Sequence, residues 1–296
     1  MKPARSAIVA TAGEAIRRGS RSFAAASRLF DRSRRERAWL LYGWCRRCDD
    51  LADGQDHGHG TTAVADPAAR IEAIRVRTEA ALRGDWIGDA AFDGLRIFVA
   101  ETGVPENLVR DVVAGFALDA EGWRPASEDE LYRYCYHVAG AVGCMMAVAM
   151  GVSPDDEDVL DRACDLGIAL QLANIARDMA EDEAAGRCYL PPEWLAEGRV
   201  AAAARLAERA EAYAASGRAG AAALGFRSAW AVLAAGGIYG EIARKVTALG
   251  DAAWDRRVST SALEKLAWIA RALGQAWNRK QPYPQELREN LWTRPR

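Results

Sequence analysis

Alanine, leucine and arginine dominate the pattern of this chain, β-branched residues rarely cluster, and alternation of apolar and polar positions persists nowhere. That pattern predicts helices throughout and no strands. Helices are expected near 5–18, 21–29, 33–53, 67–83, 89–102, 105–121, 127–150, 154–182, 192–197, 199–217, 219–248 and 259–278. Their starts carry recognisable signals. Ser33, Ser127 and Ser261 each stand three residues before a glutamate, the spacing of a capping box, and Pro154 and Pro192 sit where a first helical residue would. Two loops stand out, 54–66, rich in glycine, aspartate and threonine, and 183–191. No linker, repeat or low-complexity tract divides the chain, so 1–296 reads as one all-α bundle domain, loose only at its ends, 1–5 and 283–296.

Two of these helices carry an unusual polar face. In the first, Asp49 and Asp53 are four residues apart and project from one side, which Tyr42 and Arg46 share, while Asp50 points aside. In the second, Gln171, Asn174, Asp178 and Asp182 fall at offsets of 0, 3, 7 and 11, a stripe no more than about 80° wide. Leu172, Ile175 and Met179 around that stripe are core residues in character. Carboxylates beside a core need compensating charge, and both clusters lie toward helix C-termini, where the macrodipole disfavours anions. Divalent cations between the two acidic helices would resolve both problems, since Mg²⁺ is commonly held by one or two carboxylates together with substrate phosphates. The plainer alternative is a pair of solvated acidic helix ends, and the in-phase polar residues argue against it.

Composition narrows the partners. The chain has 296 residues, half of them hydrophobic, and a net charge of −2, which gives no sign of a nucleic-acid partner. Nearly all positive charge is arginine, the lysines being Lys2, Lys245, Lys265 and Lys280; the planar guanidinium fork suits phosphate. Residues 1–15 lack the apolar core of a signal peptide, and no apolar run reaches membrane-spanning length. The six cysteines fall in helical, apolar stretches, so a reducing cytoplasmic compartment with free thiols is expected. Cys45 and Cys48 form a CxxC, but in mid-helix and outside any redox context. His57 and His59 read as residues of a solvent loop and His137 as a packed helical histidine. The 259–278 segment, with Trp268, Arg271 and Trp277 and the following Arg279 and Lys280, reads equally as a membrane-facing or an ordinary amphipathic helix.

The motifs together resemble the squalene and phytoene synthase family. The resemblance is carried by Ser20-Arg21-Ser22-Phe23, by the 42–53 segment with its Cys45-Arg46-Arg47-Cys48-Asp49-Asp50 run, by 134–143, by Gln171 to Asp182, by Gly186-Arg187-Cys188-Tyr189-Leu190-Pro191, and by Arg257-Val258-Ser259 leading to Lys265. Within the family the 42–50 run looks most like the bacterial phytoene-forming members.

That resemblance implies an isoprenoid-synthase helical bundle with a central cavity. It implies Mg²⁺ or Mn²⁺ held by Asp49, Asp53, Asp178 and Asp182 with Asn174, and two prenyl diphosphates bound head to head, without a nicotinamide cofactor. Gln171 matches a position lining that site. Arg46, Arg177 and Arg187 match diphosphate-facing arginines, and Ser20, Ser22 and Phe23 a segment closing over one diphosphate. Tyr42, Tyr134 and Tyr239 match aromatic positions around the reacting carbons. Where some relatives have a tyrosine, this chain has His137, so Tyr134 and Tyr136 both remain candidates for the catalytic tyrosine. The implied reaction joins two geranylgeranyl diphosphates through a cyclopropyl diphosphate to phytoene. The alternatives are a squalene, hydroxysqualene or dehydrosqualene synthase using farnesyl diphosphate, and a non-catalytic scaffold member. A monomer, with peripheral contact at the inner membrane, completes the expectation.

Overall fold

The computed structural model describes residues 3–53, 66–280 and 288–296. Its α-helices are α1 (Arg5–Gly19), α2 (Arg21–Ser27), α3 (Arg32–Asp53), α4 (Pro67–Leu82), α5 (Ala90–Thr102), α6 (Glu106–Ala120), α7 (Glu128–Cys135), α8 (Ala141–Ala149), α9 (Glu157–Ala184), α10 (Pro192–Ala196), α11 (Arg199–Gly220), α12 (Phe226–Leu249) and α13 (Ala262–Trp277). A π-helical turn, Tyr136–Gly140, joins α7 to α8, and 3₁₀ turns occupy Ala221–Ala223 and Gly250–Trp254. Among the described residues there is no strand, as the pattern predicts.

The chain divides into two compact units, one of Met1–Glu121 with Met145–Asp155, the other of Gly122–Cys144 with Asp156–Arg296. In the first unit α3 packs against α1 and α5, and α4 against α5 and α6. Ile16, Leu40, Leu41, Trp44, Phe92, Leu95 and Phe98 fill its interior. In the second unit α9 is the axis, packed on α11, α12 and the π turn, with Leu160, Ile168, Leu172, Ala176, Leu206 and Tyr213 buried around it. The π turn approaches α9 backbone to backbone. A Cβ on Gly167 would stand 2.4 Å from the carbonyl oxygen of Ala139, so only glycine fits there.

Local signals account for most helix ends. Ser261 and Glu264 form a full capping box. Ser127 accepts from the Glu130 amide at 3.3 Å, but the Glu130 carboxylate turns to the amide of Ala126. Ser33 is not a cap. Asp31, two residues earlier, accepts from the Arg34 amide at 3.0 Å and starts α3 one residue before the predicted helix. Pro154 lies in a turn before α9, whose cap is Asp156. The helix expected over 219–248 breaks where Leu224 and Gly225 become extended.

Of the C-terminal end, residues 288–296 are described, and two arginines there pair with α9. Arg288 reaches Asp161 and Asp165, both at 2.7 Å, and Arg294 reaches Asp161 at 2.9 Å. The two aspartates are almost wholly buried on α9, and a buried carboxylate demands such a partner. The tail is therefore fastened by charge. His57 and His59, with the rest of 54–65, lie outside the described residues.

Candidate active site

On α3, Arg46 stands at the centre of the acidic cluster. Its guanidinium lies 2.8 Å from Asp49 and 3.0 Å from Asp50. Asp50 is buried, so the residue that points aside is the one the arginine holds most deeply. One turn earlier Tyr42 stacks on Phe23 of α2, with ring centroids 5.8 Å apart and planes 23° apart. Burial pushes the Tyr42 phenol up from its ordinary value, so it stays protonated. Ser20 accepts from the Phe23 amide at 3.2 Å and caps α2, bringing the Ser20–Phe23 segment onto this face of α3. The side chains of Ser22 and Asp53 lie outside the described residues.

On α9, Asn174 donates to Gln171 at 3.5 Å, and both stand one to three turns before Asp178 and Asp182 on the predicted stripe. Asp178 is gripped on two sides. Arg177 Nε donates to it at 2.7 Å, and Arg257 Nη2 lies 3.1 Å away while its other nitrogen pairs with Glu181. Burial works against the Arg177 charge, but the Asp178 hydrogen bond and charge outweigh it and hold the guanidinium above its ordinary value. Trp254 donates to the Ala176 carbonyl at 3.2 Å and so fixes the segment that carries Arg257 against α9.

The end of α9 folds the chain back on Asp182. Gly186 takes a left-handed φ of 75°, its amide bonds to the Glu183 carbonyl at 3.0 Å, and the Arg187 amide bonds to that of Asp182 at 2.8 Å. This is a Schellman motif, and it returns Arg187 to the acidic end. A pocket of about 500 Å³ opens there. Asp182, Arg124, Arg187 and Arg199 supply its polar wall, and Ile175, Met179, Tyr189 and Leu190 its apolar one. Tyr189 stacks on Tyr134 at 4.7 Å, and Trp123 stacks on the other face of Tyr134 at 5.5 Å.

The two tyrosines left open by the sequence thus have different surroundings. Tyr134 belongs to the aromatic stack whose outer ring lines this pocket. Tyr136 is fully buried against Trp292 of the C-terminal tail. His137 is half-buried beside the Tyr136 ring. Tyr239 of α12 lines a separate groove of about 530 Å³ between α9, α11 and α12, while remaining within electrostatic reach of Arg177. Burial pushes Cys45 up to about 12 and Cys48 well above its ordinary value, so neither is a thiolate near neutral pH and the CxxC is a packing feature.

Among the described residues no three His, Cys, Asp or Glu side chains gather into a metal cage. The donors that do gather are carboxylates, each beside arginine: Asp49 with Arg46, Asp178 with Arg177 and Arg257. Hard oxygen donors with few protein ligands suit Mg²⁺ or Mn²⁺ completed by phosphate oxygens and water, and do not suit a closed structural site. Sequence reading assigned no role to Arg257, Arg124, Arg199, Trp123 or Tyr189. Tyr189 and Arg257 lay in motif stretches, whereas Trp123, Arg124 and Arg199 carry no local periodicity that could mark them.

The family model described as squalene/phytoene synthase matches residues 16–264. The chain is 44% identical over 301 residues to a phytoene synthase of Pseudescherichia vulneris, with 96% of this chain and 97% of the other covered. It is 42% identical to the 15-cis-phytoene synthase of a Paracoccus strain, with 97% and 98% covered. Among solved structures, a dehydrosqualene synthase crystallised with a ligand superposes with a TM-score of 0.82 at 24% identity, covering 93% of this chain and 98% of that one. A squalene synthase of Alicyclobacillus acidocaldarius gives 0.66 at 20% identity, over 94% and 97%. The fold is the all-helical one these synthases share.

Proposed function

This chain belongs to the squalene/phytoene synthase family, and from that premise we propose that it is a phytoene synthase, joining two geranylgeranyl diphosphates head to head to give phytoene and inorganic diphosphate in carotenoid biosynthesis. In this reading residues 1–296 act as one catalytic domain and as a monomer, with peripheral contact at the inner membrane. Relatives more than 40% identical over nearly their whole length carry that activity in their names, which supports the longer substrate over farnesyl diphosphate.

The observation that carries the reading is Asp178 held between Arg177 and Arg257, one turn before Asp182 and its pocket. Carboxylates and arginines interleaved in this way can take up an ion and its counter-ion together. Asp49 and Asp53 on α3, and Asp178 and Asp182 with Asn174 on α9, would hold divalent cations. When bound, these supply positive charge to the diphosphate oxygens and ease its departure as a leaving group.

The chain's own residues then do the remaining work. Arg46, Arg177, Arg187 and Arg257 would donate to diphosphate oxygens, because a guanidinium bonds phosphate through paired N–H groups. Ser20, Ser22 and Phe23 close over one diphosphate, and Gln171 orients Asn174. The prenyl chain lies along apolar walls such as Ile175, Met179 and Leu190, which keep water from trapping the allylic cation as an alcohol. The ring of Tyr189, which lines the pocket and is backed by Tyr134, offers a face to the cationic carbons for cation–π attraction, and Tyr42 supplies a second aromatic ring. Of the two candidate tyrosines we assign the catalytic part to Tyr134, because its stack opens on the pocket whereas Tyr136 is packed under the tail. The first C–O bond breaks, diphosphate leaves, and the allylic carbon bonds to the double bond of the second substrate with loss of a proton, giving a cyclopropyl diphosphate. Its ionisation releases the second diphosphate, and rearrangement with loss of a second proton gives the conjugated triene, so no hydride donor is consumed.

The test is incubation of the purified chain with geranylgeranyl diphosphate and Mg²⁺, and identification of the hydrocarbon. Phytoene is the expected product. Squalene or dehydrosqualene from farnesyl diphosphate, with or without NADPH, would move the assignment to a neighbouring enzyme. No turnover of either diphosphate, with no Mg²⁺-dependent binding, would leave a scaffold role.

A further inference from the structure

The outward side of α13 is apolar without interruption. Leu263, Leu266, Ala267, Ala270, Leu273, Gly274 and Trp277 recur at the three- and four-residue spacing of one helical face, and all are exposed. Leu263 and Trp277 reach 79% and 77% exposure, Leu266 62%. Scattered exposed leucines need no explanation, but a contiguous stripe ending in tryptophan does.

The helix is not an unfastened segment waiting to pack. Its inner side is seated on α12. Trp268 fills the space left by Gly237, where a Cβ would come within 2.2 Å of the indole. Arg244 and Arg271 flank that indole at 5.0 and 5.1 Å. Trp230 donates to the Ile269 carbonyl at 2.8 Å, and Arg279 to that of Leu224 at 2.9 Å. Ala272 and Ala276 are fully buried. The outer stripe is therefore presented on a rigid support.

We infer that this face of α13 docks the protein on a bilayer surface rich in anionic lipid headgroups. Two observations select that occupant. The first is area. A 16-residue helix is about 24 Å long and about 10 Å wide, so its outer face offers on the order of 240 Å², far below the roughly 800 Å² each partner of a stable dimer contributes. A bilayer sets no such minimum, since the interface accepts a single amphipathic helix lying in its plane. The second is charge. From 262 to 280 the only acid is Glu264, and it is bonded to Lys245 at 2.6 Å. Against it stand Lys265, Arg271, Arg279 and Lys280, a local excess of basic charge on a chain of net −2. The exposed Arg271 and Lys280 border the apolar stripe and can meet headgroups as its side chains enter the interface. The inference rests on the proposed activity for its purpose, since substrates and product of that reaction are lipids, but not for its test.

That test is flotation of the full chain, without substrate, on vesicles of phosphatidylcholine alone or with one part in three of phosphatidylglycerol. The wild type is expected to float with the anionic vesicles at least about tenfold more than with the neutral ones. Leu263→Glu with Leu266→Glu is expected to reduce that partition at least about tenfold, and Arg271→Glu with Lys280→Glu to abolish the preference for anionic lipid. Both variants are expected to keep wild-type circular dichroism and wild-type turnover of detergent-dispersed geranylgeranyl diphosphate. Equal flotation of wild type and leucine variant overturns the inference. So does light scattering that shows a wild-type dimer which the leucine variant converts to monomer, since the face would then cover a second copy. Absence of hydrocarbon product in detergent would instead count against the activity, leaving the flotation result standing.

Discussion

Arg257 lies 3.1 Å from Asp178, although 79 residues separate them in the chain. The arginine side chain is half exposed, and its second partner is the exposed Glu181. An ion pair with a half-exposed partner contributes little to folding, and in the proposed function Arg257 serves the diphosphate instead. Arg257→Ala is expected to lower kcat/KM by about 30- to 100-fold, the equivalent of one charge-assisted contact of about 2–3 kcal/mol. The melting temperature should change by less than about 2 °C. Steady-state assays beside thermal melts check both, and a large thermal loss with intact kcat/KM would assign Arg257 to structure.

Asp178→Asn keeps the shape of the side chain while removing its charge. It is expected to reduce turnover by at least about 100-fold and to raise the Mg²⁺ concentration needed for half-maximal rate, since the lost oxygen charge is what a hard cation selects. A magnesium titration of rate checks this, and an unchanged half-saturation point would remove Asp178 from the ligand set.

The tail contact is a matter of stability. Asp165 is fully buried, accepts from Ser216 at 2.5 Å, and is paired to Arg288. Removing one member of a buried ion pair leaves an uncompensated charge, at a cost of about 3–5 kcal/mol. Arg288→Ala is expected to lower the urea midpoint accordingly and to leave the m-value unchanged. Denaturation curves followed by helical circular dichroism measure it.

Glu264 predicts a pH effect at the start of α13. The Lys245 ammonium first, and the Ser261 amide next, hold its carboxyl down to about 2. A carboxyl depressed in the folded state contributes stability above its unfolded value, about 4.3, and loses it as pH falls toward 2. Glu264→Gln should therefore unfold with a flatter dependence on pH between about 4.3 and 2 than the wild type. Acid titrations of the two proteins, compared over that interval, supply the measurement.

Gly167→Ala tests the packing of α9 on the π turn. The new methyl would meet the backbone of Ala139 and Gly140, at 2.4 and 2.8 Å, and backbone cannot swing aside as a side chain can. A loss of about 3 kcal/mol, the upper range for overpacking, is expected, measured by thermal or urea unfolding. Gly274→Ala, on the open face of α13 where nothing stands within 4 Å, is expected to be neutral or slightly stabilising.

The sequence by itself determined what is local. Helix periodicity, caps and the in-phase placement of Gln171, Asn174, Asp178 and Asp182 depend on residues within a few turns of one another, so the helices and the acidic stripe of α9 are legible in the chain's own pattern. At Ser33 and Pro154 the local signal misplaced the helix start: Asp31 and Asp156 are the caps, because their side-chain oxygens reach the free amides of the first turn. Tertiary structure alone decided which distant groups meet. Arg257 on Asp178, Arg288 on Asp165, the rings of Trp123 and Tyr189 on either side of Tyr134, and the solvent side of α13 all depend on how helices far apart in the chain pack. Side-chain pattern along one helix carries no information about which charge or ring another helix will bring to it, because those contacts are selected by burial and complementarity over the whole core.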